Sequence, residues 1–195
     1  MEPVLPPGTG WIEVICGGMF SGKTEELLRR VRRAQIAGQK VALFKPDVDT
    51  RYHPTAVVSH DQNLLQAQPV PNADAIYLLS AEADVVAIDE GQFFDEGIVS
   101  VSDRLADEGK RVIIAGLDMD YRGRPFGPMP YLMAIAEFVT KLHAVCKRTG
   151  LLAHYSYRKV AENGTILPGG NEIYEPLSRK AFCELGAKYY QDRLL

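Results

Sequence analysis

The chain has 195 residues, 46% of them hydrophobic and 24% charged, with a formal net charge of -3. That is an ordinary globular composition, long enough for one sizeable domain and a small appendage. It lacks the basic excess of a general nucleic-acid binder, and no apolar run approaches the roughly 20 residues of a membrane span, so neither nucleic acid nor a membrane is expected as a partner.

The first ten residues, M-E-P-V-L-P-P-G-T-G, carry three prolines and neither the basic nor the apolar region of a signal peptide. They read as a flexible lead-in. W-I-E-V-I-C (11–16) is a buried strand ending in glycines. Residues 23–37 place Leu27, Leu28, Val31, Ala34 and Ile36 near a 3.6 period, an amphipathic helix stopped by Gly38. K-V-A-L-F-K-P (40–46) is a second strand, and polar residues 47–63 read as a loop. A-D-V-V-A-I-D-E (83–90) is a third strand ending in two acids. Residues 95–109 fit a helix, 111–118 a fourth strand, 131–138 a short helix and 139–145 a fifth strand. Strands alternating with helices predict a parallel sheet covered by helices, the α/β class. The pattern stops near residue 145. Residues 1–145 are therefore expected as one domain, and 146–195, rich in Gly, Pro and Tyr and closing on a terminal helix, as a small second one. Three widely spaced cysteines (Cys16, Cys146, Cys183) do not form a disulfide framework and suit a reducing, cytoplasmic location.

Gly17-Gly18-Met19-Phe20-Ser21-Gly22-Lys23-Thr24 matches the phosphate-cradling pattern G-x-x-x-x-G-K-[ST], after a strand and opening a helix. Glycines let backbone N–H groups turn toward phosphate oxygens, and the helix N-terminus adds its positive end. Lys23 is expected at the β and γ phosphates and Thr24 on magnesium. The partner carboxylate is Asp89, at the C-terminal end of an apolar strand and so on the ligand side of the sheet. Its neighbour Glu90 is then available as a base. A base there could activate water, giving an ATPase or GTPase, or a substrate hydroxyl, giving a kinase. No N-K-x-D guanine motif occurs, and a small acidic chain with an extra 50-residue segment favours a small-molecule kinase.

G-G-M-F-S-G-K-T, K-P-D-V-D-T-R-Y, S-H-D, D-E-G-Q-F-F, G-L-D-M-D-Y-R-G-R-P-F-G and K-L-H-A-V-C occur in that order. Together they closely resemble the type II, cytosolic-type thymidine kinases, over about residues 11–182. The resemblance implies a RecA-like P-loop domain and a small lasso domain over the nucleoside. It implies ATP- and magnesium-dependent 5′-phosphorylation of thymidine or deoxyuridine, a homotetramer, and feedback inhibition by thymidine triphosphate. It makes Glu90 the proton acceptor, with Lys23 and Arg51 at the transferred group. Gly17 to Thr24, Asp89, Glu90 and Gln92 become the ATP site. Met19, Asp49, Phe93, Leu117, Tyr121 and Phe126 line the nucleoside pocket, joined by Ser156 and by Leu167, Gly169, Gly170 and Tyr174 from the lasso. Ser156 stands where the family has a threonine against the thymine methyl. Other acceptors (another nucleoside or nucleotide) and a non-catalytic nucleotide switch are the alternatives.

The family also carries a structural zinc on two C-x-x-C pairs. Here those positions are Cys146, Thr149, Ser178 and Ala181, so Cys146 is the only retained ligand position. Tetrahedral zinc needs four thiolate or imidazole ligands. Cys183 lies two positions beyond the expected place, and His143 and His154 have no matching spacing. A small domain folded without zinc is expected, with residues 151–153, Phe182 and Leu185 packed where the metal would be.

Overall fold

The computed structural model describes residues 8–47, 56–58, 64–160 and 169–190. Its first part runs β1 (Trp11–Gly17), α1 (Lys23–Ile36), β2 (Val41–Pro46), β3 (Ala56–Val58), β4 (Leu64–Gln66), β5 (Gln68–Val70), α2 (Ala73–Leu79), β6 (Val85–Ile88), α3 (Gly97–Asp107), β7 (Arg111–Gly116), α4 (Met129–Ile135) and β8 (Phe138–Leu142). Six of these strands form one sheet in the order β5-β2-β6-β7-β1-β8. Every neighbouring pair in it is parallel. This is the α/β, RecA-like architecture expected: one strand, β7, separates the phosphate-loop strand β1 from the carboxylate strand β6.

A parallel sheet buried on both faces demands near-continuous apolar strands, and V-V-A-I and V-I-I-A supply them. Successive side chains then point to opposite faces. Val14, Val86, Ile88, Val112 and Ile114 pack with Ile76, Ile98, Leu105 and Leu132 from α2, α3 and α4. Ile15, Ala87, Ile113 and Ala115 pack on the other face against Leu27, Leu28, Val31 and Ala34 of α1. Glu13 is the polar exception within β1. It is 1% exposed and meets Arg30 of α1 at 2.6 Å and Arg111 of β7 at 2.7 Å. Trp11 Nε1 donates to the same carboxylate at 2.7 Å. Burial alone would raise the pKa of Glu13, but the bonds and charge of Arg111, with Trp11 and Arg30, outweigh it and hold the carboxyl below its ordinary range.

The remaining chain folds as β9 (Ala144–Val145), β10 (Leu152–Ala153), β11 (Tyr155–Arg158), β12 (Tyr174–Leu177) and α5 (Arg179–Tyr190). β9 pairs with β10 and β11 with β12, both antiparallel. A separate cluster of Ala144, Cys146, Ala153, Tyr155, Leu177, Ala181 and Phe182 holds them together, with Tyr155 stacked on Phe182 at 4.2 Å.

Several expectations need correction. The third strand stops at Ile88, so both acids lie in the turn after it. The expected 139–145 strand is two strands, broken at His143. β3 lies inside the stretch read as a loop. The packing assigned to Leu151, Leu152 and Leu185 does not occur: they are 57%, 58% and 38% exposed, and Ala153, Tyr155, Leu177 and Phe182 fill the interior instead.

Candidate active site

The phosphate loop, the two acids and Gln92 lie at the C-terminal ends of β1, β6 and β7. Gly17, at the end of β1, has φ 142°, and a Cβ there would stand 2.2 Å from the carbonyl of Leu142. Only glycine lets the loop leave β1 against β8. Gly22 has φ 85° and precedes α1, whose N-terminus carries no side-chain cap and, like any helix N-terminus, favours an anion. Ser21 Oγ donates to the Gly18 carbonyl at 2.8 Å, and Lys23 Nζ donates to the same oxygen at 2.8 Å. Phe20 holds φ 63°, an uncommon conformation for a side chain of its size, and packs against the cluster around Cys146.

From β6 come the two acids. Asp89 is 6% exposed, and its backbone N–H donates to the Phe44 carbonyl at 2.9 Å. Thr24 Oγ1 donates to Asp89 Oδ2 at 3.4 Å. A hydroxyl beside a carboxylate is a pair of hard oxygen donors, the set magnesium takes. Glu90 follows in the left-handed region at φ 54° and ψ 42°, and its N–H donates to Asp89 Oδ1 at 3.0 Å. A non-glycine residue held there costs on the order of 1–3 kcal/mol, and such costs gather at functional sites.

Gln92 lies in the single turn Gly91–Phe93 and is 3% exposed. Its amide faces inward, to Glu90 on one side and to the Leu117 N–H on the other. Phe94 is core, whereas the half-buried Phe93 meets Phe126 edge-to-face with centroids 5.7 Å apart.

The late segment reaches back to this edge. Ser156, on β11, accepts the Met19 N–H at 2.9 Å. Tyr174, on β12, accepts from Arg158 at 3.2 Å, and the Arg158 guanidinium lies 3.8 Å over the Tyr121 ring. The structure thus brings Met19, Ser156, Tyr121 and Tyr174 to one side through two linkages. Gly169 and Gly170 stand before β12. Gly170 N–H donates to Glu172 at 2.6 Å, and the Gly170 carbonyl accepts the Tyr174 N–H at 2.9 Å. Asp49, Arg51 and Leu167 lie outside the described residues.

The sequence reading missed Arg158 and the pair of Asp118 with Lys141. Lys141 Nζ lies 2.6 Å from Asp118 Oδ2, and that contact holds the lysine pKa above its ordinary value. Burial, with the Asp118 charge, pushes the neighbouring Cys16 thiol up to about 11. Asp118 was read as the last residue of the 111–118 strand, which in the structure stops at Gly116. Arg158 gave no signal.

The four positions of the family's zinc site converge, but their chemistry does not fit the metal. Cys146 is fully buried, and Thr149 Oγ1 donates to Ser178 Oγ at 3.0 Å. Burial alone would raise the Cys146 pKa. Hydrogen bonds from the Thr149 side chain and from Ser178 outweigh it and bring the thiol to about 7. Ala181 adds only its N–H, to Ser178 Oγ at 3.4 Å. One thiol, two hydroxyls and a methyl are not a tetrahedral zinc set. Among the described residues no group of three or more His, Cys, Asp or Glu is placed to hold a metal. His143 and His154 instead pack edge-to-face at 4.6 Å.

Comparison with known proteins agrees with this geometry. The thymidine kinase family profile matches residues 10–182. A thymidine kinase of Rhodothermus sp. (strain ITI 518) is 56% identical over 185 residues, covering 93% of this chain and 87% of its own. One from Porphyromonas gingivalis is 60% identical over 173 residues, covering 89% and 85%. One from Bdellovibrio bacteriovorus is 50% identical over 174 residues, with the same shares.

Proposed function

This chain belongs to the thymidine kinase family, and we propose that it transfers the γ-phosphoryl group of ATP to the 5′-hydroxyl of thymidine, and of deoxyuridine, with Glu90 as the base. The observation that carries the reading is the meeting of Thr24 with Asp89 at 3.4 Å, with Glu90 next in the chain. The γ-phosphoryl group and the hydroxyl must approach in line, so catalysis is chiefly positioning and charge stabilisation. Gly17 to Thr24 hold the phosphates through backbone N–H groups, and Lys23 follows the charge onto the β and γ oxygens. Thr24 and Asp89 hold magnesium, which supplies positive charge to the phosphate oxygens. Glu90 accepts the hydroxyl proton as the new O–P bond forms. Arg51 contributes charge at the transferred group.

On the acceptor side we assign Phe93 and Phe126 to the nucleoside faces, and Met19, Leu117 and Tyr121 to the pocket wall. Asp49 and Ser156 complete it, with Leu167, Gly169, Gly170 and Tyr174 offering backbone groups to the pyrimidine edge. A buried pyrimidine edge left unpaired is costly, so such groups discriminate strongly. Residues 146–195 form the small domain that covers the nucleoside. The donor set at Cys146 supports folding of that domain without structural zinc. We further propose a cytoplasmic homotetramer under feedback by thymidine triphosphate. Among the described residues no helix is long and apolar enough to cross a membrane.

A coupled ADP-release assay with each deoxynucleoside tests the reading. Turnover is expected with thymidine and deoxyuridine and not with deoxycytidine or purine nucleosides. A preference for another acceptor, or nucleotide binding with no acceptor-dependent turnover, would overturn it.

A further inference from the structure

We propose that Gln92 is a positioning residue: it fixes the carboxylate of Glu90 and ties it to the backbone of the nucleoside pocket at Leu117. The proposal rests on the reading of Glu90 as the base.

The orientation of the amide follows from its partners. The Leu117 N–H can only donate, and Gln92 Oε1 receives it at 2.9 Å in a buried bond. The Nε2 end therefore faces Glu90 and donates to Glu90 Oε2. A reversed amide would set N–H against N–H. Both ends of a side chain only 3% exposed thus face protein groups.

The surroundings leave the amide little room to shift. A Cβ at Gly116 would stand 2.9 Å from Gln92 Oε1, and one at Gly127 would stand 2.4 Å from the Gln92 carbonyl. The chain closes on Gln92 as tightly as glycine permits. Glu90 needs such a partner. It is half-buried beside the phosphate loop, and a glutamate side chain is rich in rotamers to lose on ordering. Its own N–H is held by Asp89 Oδ1 at 3.0 Å, so the backbone is anchored on one side and the carboxylate on the other. The link also runs outward. Leu117 ends β7's approach to the pocket, so the residue expected against the base and the group expected to take the proton share one rigid amide. Catalysis tolerates little displacement of a base, and a carboxylate free to rotate loses near-attack geometry.

The first variant is Gln92→Glu. It keeps the shape and an oxygen for the Leu117 N–H, but it replaces the neutral amide donor with a second carboxyl that repels Glu90 or shares its proton, so Glu90 loses the fixed N–H partner. The expected result is a fall in kcat of about 10- to 100-fold, the range for losing a hydrogen bond to a charged group. ATP Kd, measured by calorimetry, and thymidine KM should stay within about threefold, because the amide's two ends are directed at Glu90 and the Leu117 N–H. In a Glu90→Gln background the same substitution should cost less than about twofold, since it acts through Glu90. Unchanged kcat, an equal loss in both backgrounds, or a loss matched by weaker ATP binding would overturn the proposal. Should Gln92→Glu fail to fold, Gln92→Met fills the same volume without charge and must show the same kcat loss; full turnover in it overturns the proposal equally. Near-normal turnover in Glu90→Gln alone would instead remove the base assignment on which all this stands.

Discussion

The backbone N–H of Met19 donates to Ser156 Oγ at 2.9 Å, joining positions 137 residues apart. Through this bond the phosphate loop and β11 of the late segment become neighbours. Gly18 shares the contact: a Cβ there would lie 3.3 Å from the same hydroxyl.

Ser156→Ala removes the acceptor and strands a part-buried N–H. The expected cost is about 1–3 kcal/mol of stability, with thymidine KM raised about 3- to 10-fold as the pocket wall loosens. Ser156→Thr keeps the acceptor and should leave the melting temperature close to that of the parent. Thermal unfolding and initial-rate kinetics on both variants check this.

Asp89→Asn keeps the shape of the proposed magnesium position and removes its negative charge. The magnesium concentration for half-maximal rate should rise about tenfold or more, since divalent ions favour charged oxygen ligands. A magnesium titration of the rate reads this directly, and an unchanged midpoint would remove Asp89 from the metal.

Elemental analysis of purified protein should find well under one zinc per chain, and a chelator should leave the melting temperature unmoved. The bonds among Cys146, Thr149 and Ser178 stand where four sulfurs would. Restoring those sulfurs with Thr149→Cys, Ser178→Cys and Ala181→Cys together should give a protein that takes up about one zinc, the full tetrahedral set. About one zinc per chain in the parent would contradict the account.

Glu13 gives the fold a pH dependence. Its folded pKa is depressed below the ordinary 4.5, so its contribution is present above that value and is lost as pH falls through the folded value. Glu13→Gln leaves Arg30 and Arg111 without their shared counter-charge and should cost about 3–5 kcal/mol. Denaturant titrations from pH 7 down to pH 3 should show the parent losing stability below about pH 4.5, and the variant losing less over the same range.

The phosphate loop was legible because its chemistry is local. Glycines, Lys23 and Thr24 must be close in sequence to share one turn, and β1 and α1 flank them as read. The strands of the buried sheet were legible for a similar reason, since apolar runs bounded by turns have few other homes. What failed was what depends on partners far along the chain. β5 carries Pro69, which argues against a strand, yet it is tolerated at the sheet edge. Leu151 and Leu152 looked like core and are exposed, because the short β9–β10 pair turns Ala153 inward instead. Arg158 is buried between Tyr121 and Tyr174, a contact that needs β11, β12 and the loop after β7 to meet. The resemblance put Gln92 in the ATP site, but its bond from the Leu117 N–H needs the single turn Gly91–Phe93 to meet the end of β7 and left no trace in the sequence.

The base assignment is tested most directly by Glu90→Gln. Its ATP affinity should match the parent within about threefold, because the proposal gives the phosphates to the Gly17–Thr24 loop and Glu90 the hydroxyl proton. Its turnover with thymidine should fall by about 10²- to 10⁴-fold, the usual contribution of a positioned general base. Turnover within a few-fold of the parent, with ATP binding intact, would contradict the account at its centre.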